Sequence, residues 1–310
     1  MLKKFCLEVS TYLPLSSSLS EYAKAWTTKS KFPTSLFIFL IFTTASNSGE
    51  ISSKVSEYVS NLIPGEGDTE VSIDLRENNK PDYSILAVRE IQKTEDGNFF
   101  TQFSFFNTEK NNDERIVGNL GFGKRVFSDD DNMMFGLNAF YDHEFDYDHS
   151  RTSLGAEIKS SYLELNYNQY FSNSNSKTGK NSKSEEAVDG YDLELGAQVP
   201  YIPSATFYTQ IFEFDVPGGN DFEGFEYSTK LEVPNSGFTL ELGHTDFVDH
   251  NDEWFFQFKY SSNKINKDRP FISDEVFEKS SVADQKYEKV RRENIIIKKG
   301  DSFVVKAGGF

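Results

Sequence analysis

Side chains between residues 69 and 262 alternate between apolar and polar with a period of two. Within residues 189–200, one face carries the apolar residues Tyr191, Leu193, Leu195, Ala197 and Val199. The other face carries Asp192, Glu194, Gly196 and Gln198. Successive side chains point to opposite faces only in a β-strand. Eleven such segments and a weaker twelfth at 69–76 are separated by polar turns, such as 128–132 and 217–221. The pattern predicts an all-β protein of twelve antiparallel strands.

Strands of this length suit either a soluble sandwich or a membrane barrel. Aromatic residues, which make up 15% of the chain, sit near the ends of several apolar faces, at Tyr141, Phe145, Tyr191, Trp254 and Tyr260. An aromatic girdle at those positions would meet lipid headgroups. A transmembrane barrel also alternates lipid-facing and lumen-facing residues, so it needs no long apolar run. We therefore expect an antiparallel transmembrane β-barrel over residues 69–262.

The lengths of the predicted connections support a barrel with both ends of its sheet in the periplasm. If the first strand starts near residue 69, the long polar stretch 172–188 falls outside the cell. The short links at 160–161, 201–203 and 234–237 then fall on the periplasmic side. Long outer loops and tight periplasmic turns are the asymmetry expected of such barrels.

The first 45 residues resemble a secretory signal peptide. Lysines precede the apolar run Ser35–Phe42, and small residues follow at 43–45. This run is too short to span a membrane as a helix. We expect residues 1–45 to be a signal peptide, 46–68 to be a short periplasmic linker, and the chain to be exported through the inner membrane to the outer membrane. The one cysteine, Cys6, would be lost with the signal peptide.

Charge and motifs argue against several other functions. The net charge of -17 opposes binding to nucleic acid. The corner Asp142–His149 gathers carboxylates and imidazoles that could hold a cation, but alternation divides them between two faces, so no metal is expected. No nucleophile elbow, zinc-protease motif or phosphate loop occurs. We expect no enzymatic activity and no cofactor; a third hypothesis is a barrel hydrolase.

The composition changes after the last predicted strand. Residues 274–294 mix charged residues with a narrow apolar stripe and predict a helix. Ile295–Ile297 and the basic pair Lys298 and Lys299 predict a short extended piece, so 263–310 is interpreted as a helical linker with a short tail. A basic linker fits a lumen rich in carboxylates. The lumen residues predicted to line its path are Arg125, Asp142, Arg151, Glu157, Glu164, Asp192 and Glu194.

Several motifs in order resemble one family. They are Gly121–Arg125, Phe135–Phe145, Arg151 followed by Leu154–Glu157, and Tyr162–Leu165. Together they resemble the translocator domain of intimins and invasins, the inverse autotransporters. The resemblance covers about residues 80–262 and continues through Val290–Lys298, which is similar to the family's linker.

The resemblance implies a twelve-stranded barrel whose N-terminus lies in the periplasm and whose linker threads the lumen to carry a C-terminal passenger outside. The residues of this chain that match the linker are Val290, Arg291, Arg292, Asn294 and Ile296. It also implies outer-membrane lipid, periplasmic chaperones and the outer-membrane assembly machinery as partners. The aromatic last strand would offer that machinery a recognition element at Trp254, Phe256, Phe258 and Tyr260.

One departure concerns the passenger, because family members usually carry long arrays of domains after the linker. Crossing the barrel takes on the order of eight to ten extended residues, which leaves only a few residues of the tail to protrude. We therefore expect a missing or minimal passenger, and adhesion is not carried over. The alternative is a stand-alone outer-membrane pore or structural barrel that its own C-terminal tail plugs.

Overall fold

A computed structural model describes residues 63–76, 81–110, 113–179, 182–262 and 270–299. The predicted signal peptide, most of the linker expected at 46–68, and the tail beyond residue 299 lie outside these residues. No helix in the described part of the chain is long and apolar enough to cross a membrane.

Twelve antiparallel strands close into one barrel, as the alternation predicted. The barrel strands are β1 Gly67–Arg76, β2 Asp82–Lys93, β3 Gly97–Lys110, β4 Asp113–Phe127, β5 Met133–Glu144, β6 His149–Ser160, β7 Leu163–Ser172, β10 Gly190–Val199, β11 Ile202–Phe214, β12 Phe222–Glu232, β13 Phe238–Phe247 and β14 Glu253–Ser261. Three short strands, β8 Lys177–Thr178, β9 Ser184–Ala187 and β15 Lys298–Lys299, form a separate small sheet in the order β15-β9-β8.

The barrel closes where β1 pairs with β14. The register runs from Glu70 opposite Ser261 to Arg76 opposite Phe255. An ion pair between Arg76 and Glu253 (3.4 Å) and a hydrogen bond from the Ser261 hydroxyl to Asp68 (2.6 Å) lie at the two ends of this seam. Closure gives β1 and β14 a partner on each side and so removes the unpaired edges that an open sheet would expose.

Burial in this barrel is the reverse of that in a soluble β-protein. The lumen faces of the strands carry fully buried charged side chains, such as Arg125 and Arg151, while the outer faces expose apolar ones. Leu137 is 70% exposed and Leu154 is 57% exposed. An apolar outer surface around a polar interior is what a lipid environment requires. This arrangement confirms the membrane barrel and excludes the sandwich.

The connections divide between two ends of the barrel. We call the end at which β1 begins and β14 finishes the near end, and the opposite one the far end. The short links predicted at 160–161, 201–203 and 234–237 lie at the near end. The segment 172–188 lies at the far end, where it contains β8 and β9.

The helix predicted for 274–294 does not form. Only a 3-10 helix at Val282–Gln285 is present, with Ser281 as its N-cap, and the rest of this segment is irregular or extended. The physical reason is that the barrel wall offers hydrogen-bond partners to the linker backbone, such as the Gln102 side chain, which accepts from the Val290 N–H at 2.8 Å. An extended segment can use those partners, whereas a helix pairs its backbone groups internally.

Candidate functional site

The linker, residues 274–299, passes through the lumen from the near end to the far end. At the near end the Tyr201 N–H donates to the Val276 carbonyl (3.0 Å), and the Val282 N–H donates to the Asp131 carbonyl (2.9 Å). At the far end the Val188 N–H donates to the Ile297 carbonyl (3.1 Å), and β15 pairs with β9. The lumen is therefore occupied along its length by the chain's own C-terminal segment.

Side chains of the wall hold the linker backbone directly. Four wall side chains donate to linker carbonyls: Asn168 Nδ2 to Arg291 (3.0 Å), Arg151 Nη2 to Glu293 (2.7 Å), Asn119 Nδ2 to Asn294 (3.1 Å) and Arg125 Nη1 to Lys286 (2.6 Å). In the opposite direction, the Glu293 N–H donates to the Tyr170 hydroxyl (2.7 Å). Buried backbone groups need such partners, because leaving them unpaired costs roughly 1–3 kcal/mol each.

Arg292 binds Asp142 with both arms of its guanidinium group. Nη1 and Nη2 donate to the two carboxylate oxygens at 2.8 and 2.7 Å, and both side chains are fully buried. Asp142 also accepts from Arg151 Nε (2.9 Å) and Asn119 Nδ2 (2.7 Å). One carboxylate on β5 thus joins the linker to two neighbouring strands of the wall.

Arg291 points to the other side of the lumen. Its Nε and Nη2 donate to the two oxygens of Glu194 on β10 at 2.6 and 2.7 Å, and Nη2 also donates to Glu241 on β13 at 3.1 Å. The Glu241 strand and the Asp142 strand are six apart in the ring of twelve, so they lie diametrically opposite. Two successive linker residues therefore contact opposite walls, as successive side chains of an extended chain must.

Glycine and aromatic pairs make room for these arginines. The guanidinium group of Arg292 lies 4.3 Å from the Phe140 ring centre, and a Cβ on Gly121 would come within 2.2 Å of that ring. The guanidinium group of Arg291 lies 3.7 Å from the Tyr208 ring centre, and a Cβ on Gly196 would come within 2.6 Å of that ring. The glycines on the lumen face let a ring lie flat against the wall beneath a cation.

We expect Gly121→Ala to destabilise the folded barrel by about 1–3 kcal/mol, because an added methyl group would force the Phe140 ring out of its place. Denaturant unfolding in detergent measures this loss. The double variant Gly121→Ala with Phe140→Leu should recover part of it. If Gly121→Ala unfolds at the same denaturant concentration as the parent protein, the packing argument is wrong.

All seven lumen residues predicted from the sequence point into the barrel. Besides Asp142, Arg151 and Glu194, they include Arg125, which binds Glu157 (2.7 Å). Glu164 pairs with Lys159 (3.4 Å) and accepts from the Tyr208 hydroxyl. The remaining one, Asp192, accepts from Tyr170 (2.5 Å) and Asn168 (2.8 Å), which themselves bind the linker backbone.

The predicted linker contacts omit several residues of the site. Glu241, the second carboxylate on Arg291, is expected from strand parity to line the lumen but was not assigned to the linker. Gln102, Asn119, Asn168 and Tyr170 were also missed. Nothing in their types distinguishes them from other lumen residues, and only the linker's position shows their role.

An apolar cluster lies at the far end of the lumen. Ile297 of the linker is buried there among barrel and loop side chains, namely Tyr170, Val188, Phe212, Phe214, Val216, Phe222 and Phe247. The wall residues of this cluster lie on β7, β11, β12 and β13, and Val188 and Val216 lie in the connections beside them. The linker therefore packs against this side of the far mouth.

A charged group lies beside this cluster. Arg115 binds Glu185 (2.6 Å) and Glu144 (3.1 Å), and Lys298 of the linker also binds Glu144. Glu144, Glu185 and His149 lie close enough to hold a metal ion. Arg115 and Lys298 already neutralise Glu144 and Glu185. We therefore interpret these side chains as an anchor of the linker rather than as a metal site.

The residues predicted as an assembly signal lie on β14. Trp254 is exposed on the outer face near the far end, and Phe256 and Phe258 share that face in half-buried positions. Tyr260 differs, because it is buried, with its ring 5.0 Å from that of Phe238. Three of the four side chains are thus available on the outer surface.

Comparison with known proteins identifies the fold and the family. The profile of the inverse autotransporter β-domain matches residues 41–294. Among curated relatives, the attaching and effacing protein homolog of Escherichia coli K12 is 31% identical over 44% of this chain and 46% of that protein. The inverse autotransporter adhesin YeeJ of the same strain is 29% identical over 50% of this chain and 6% of that protein. Intimin of Escherichia coli O111:H- is 26% identical over 60% of this chain and 21% of that protein.

This chain thus matches less than half the length of each of these relatives. A barrel solved in work on the in-meso crystallization of membrane proteins has a TM-score of 0.60 and 17% identity, and the match covers 76% of this chain and 100% of that one. That likeness supports the barrel fold. From the profile match, the relatives and the geometry of the lumen, the chain belongs to the inverse autotransporter β-domain family of outer-membrane barrels.

Proposed function

We propose that this barrel passes its C-terminal segment across the outer membrane and then holds the linker in its lumen. The observation that carries the proposal is the path of residues 274–299, which enter at the near end and leave at the far end. The linker contacts the barrel wall in two ways, through hydrogen bonds to its backbone and through the ion pairs of its arginines. The chain beyond Lys299 would then be presented at the cell surface.

The proposal includes an orientation and a route. The near end would face the periplasm, because both ends of the barrel sheet lie there and its connections are short. The segment 172–188 would face the outside. The chain would reach the periplasm through the inner membrane by means of the signal peptide predicted at residues 1–45.

The partners of the barrel would be lipid and the assembly machinery. Exposed apolar side chains such as Leu137 and Leu154 would contact outer-membrane lipid. Trp254, Phe256 and Phe258, on the outer face of the last strand, would serve the assembly machinery as a recognition element, and chaperones would protect the chain in the periplasm. We propose an anchoring and translocating role rather than an enzymatic one.

A surface epitope tests the proposal. A tag added after Phe310 should be cleaved by protease added to intact cells, because the threaded linker places it outside. The same tag inserted between residues 46 and 68 should stay protected until the outer membrane is opened. Protection of the C-terminal tag on intact cells, in a protein whose barrel is folded, would contradict the proposed translocation.

A second candidate is a pore that the chain's own C-terminal segment plugs. The observation in its favour is the apolar cluster at the far mouth, into which Ile297 of the linker packs. The two candidates differ in whether the segment beyond Lys299 reaches the surface, so the same tag discriminates between them. A protected tag together with a closed barrel would favour the plug.

A further inference from the structure

We propose that Arg291 and Arg292 act as a register lock, a pair of positioning residues that fixes the depth at which the linker comes to rest. The proposal rests on the proposed threading of the linker through the barrel. It assigns to these two neighbouring residues, which bind opposite walls at one level of the lumen, the main part in setting that depth. They stop the chain in one position along the lumen axis.

The lock works because its two contacts lie on opposite walls. Arg292 binds Asp142 on β5, and Arg291 binds Glu194 on β10 and Glu241 on β13. A shift of the linker by one residue would turn each side chain towards the wrong wall. A shift by two residues would move it by about 7 Å along the axis, far beyond hydrogen-bond reach.

The sequence beside the lock disfavours both two-residue shifts. Movement towards the near end would place Glu293 opposite Glu194 and Glu241, so that three carboxylates would meet in a buried site. Movement towards the far end would place Val290 opposite Asp142, which would lose its linker cation. The same movement would bring Lys289 opposite Glu194 and Glu241, so that wall would keep a cation while Asp142 would not. Only the observed register gives both walls a cationic partner.

The site is built to fit guanidinium groups. Both arginines use two nitrogens on one carboxylate, and each lies over an aromatic ring, Tyr208 for Arg291 and Phe140 for Arg292. A planar fork and a flat ring fix orientation as well as charge, which a lysine cannot match. By contrast, Lys286 of the linker is one-third exposed, and its ammonium lies 3.8 Å from Glu66.

The register can be measured with engineered disulfides in the full chain carrying Cys6→Ser. Ile295 and Val117 belong to one buried cluster, so the pair Ile295→Cys and Val117→Cys reports the native register. The pair Glu293→Cys and Val117→Cys reports a two-residue slip towards the far end. With both arginines present, the native pair should dominate in outer membranes after oxidation.

Arg291→Gln with Arg292→Gln should lower the ratio of native to slipped disulfide about tenfold, because carboxylates that lose their partner no longer favour one position. Lys286→Gln removes a linker charge outside the lock and should leave the ratio unchanged. Arg291→Lys with Arg292→Lys should give an intermediate ratio. A ratio in the Gln pair equal to that in Lys286→Gln would overturn the lock.

Two readouts separate this proposal from the others. Altered mobility of unheated samples on gels shows whether the barrel has folded; if the Gln pair does not fold, an unchanged ratio in the Lys pair overturns the lock. The C-terminal tag is scored in the same cells. If the tag is at the surface and the disulfide ratios do not change, translocation is supported and the lock is wrong. If the tag is protected and the ratios depend on the arginines, the lock is supported and translocation is wrong.

Discussion

Asp142→Ala is expected to lower the free energy of unfolding of the barrel by about 3–5 kcal/mol, because it leaves two buried cations without their shared partner. Asp142 binds Arg292 of the linker and Arg151 of β6, and all three side chains are fully buried. Asn119 also donates to it. Unfolding by guanidinium in detergent, followed by tryptophan fluorescence or by gel mobility, measures the loss.

Two further variants isolate the cause. Asp142→Asn keeps the size of the side chain and removes the charge, so it should be nearly as unstable as Asp142→Ala if charge pairing dominates. Asp148→Ala is the matched control, because Asp148 belongs to the same Asp142–His149 corner but its side chain is 73% exposed and bonded to Lys177. An exposed pair contributes little. Equal effects at positions 142 and 148 would contradict the central role of the buried network.

Deleting residues 274–310 is expected to convert a closed barrel into an open, cation-selective pore. The linker fills the lumen, and Ile297 packs into an apolar cluster at its far mouth. Among the described residues outside the linker, eleven carboxylates but only seven cationic side chains are buried. The excess of negative charge attracts cations into the lumen.

Planar bilayers measure both parts of this prediction. The parent protein should show little current, and the deletion should show steady conductance with a reversal potential that favours cations in a salt gradient. Deleting only residues 301–310 is the control and should leave the barrel closed. An unchanged closed state after the longer deletion would contradict the plug and the threaded linker alike, while an open parent would contradict a lumen filled by the linker.

Much of the barrel could be predicted because its determinants are local. The alternation in β5 and β10 is visible in ten or twelve consecutive residues, and the structure assigns the two faces as predicted. β1 is weaker in the sequence, yet it pairs with β2 and β14 over most of its length. Strand identity depends on neighbouring residues, so one sequence suffices to show it.

The linker shows where local reasoning fails. Its charged residues with an apolar stripe predicted a helix, but only Val282–Gln285 is helical. The segment lies in a lumen whose wall bonds its backbone, as Gln102 does for Val290. A propensity that holds in water has less weight where another part of the chain supplies the hydrogen bonds.

The sequence by itself determined the twelve strands, the two faces of each strand and the acidic lining of the lumen. Only the tertiary structure decided that the polar faces are buried and the apolar faces exposed, which is what distinguishes a membrane barrel from a sandwich. It also decided which carboxylate meets which arginine. Arg292 and Asp142 are 150 residues apart in the chain, and Arg291 and Glu194 are 97 apart. Contacts across a lumen depend on the closure and stagger of the whole barrel, which no local pattern contains.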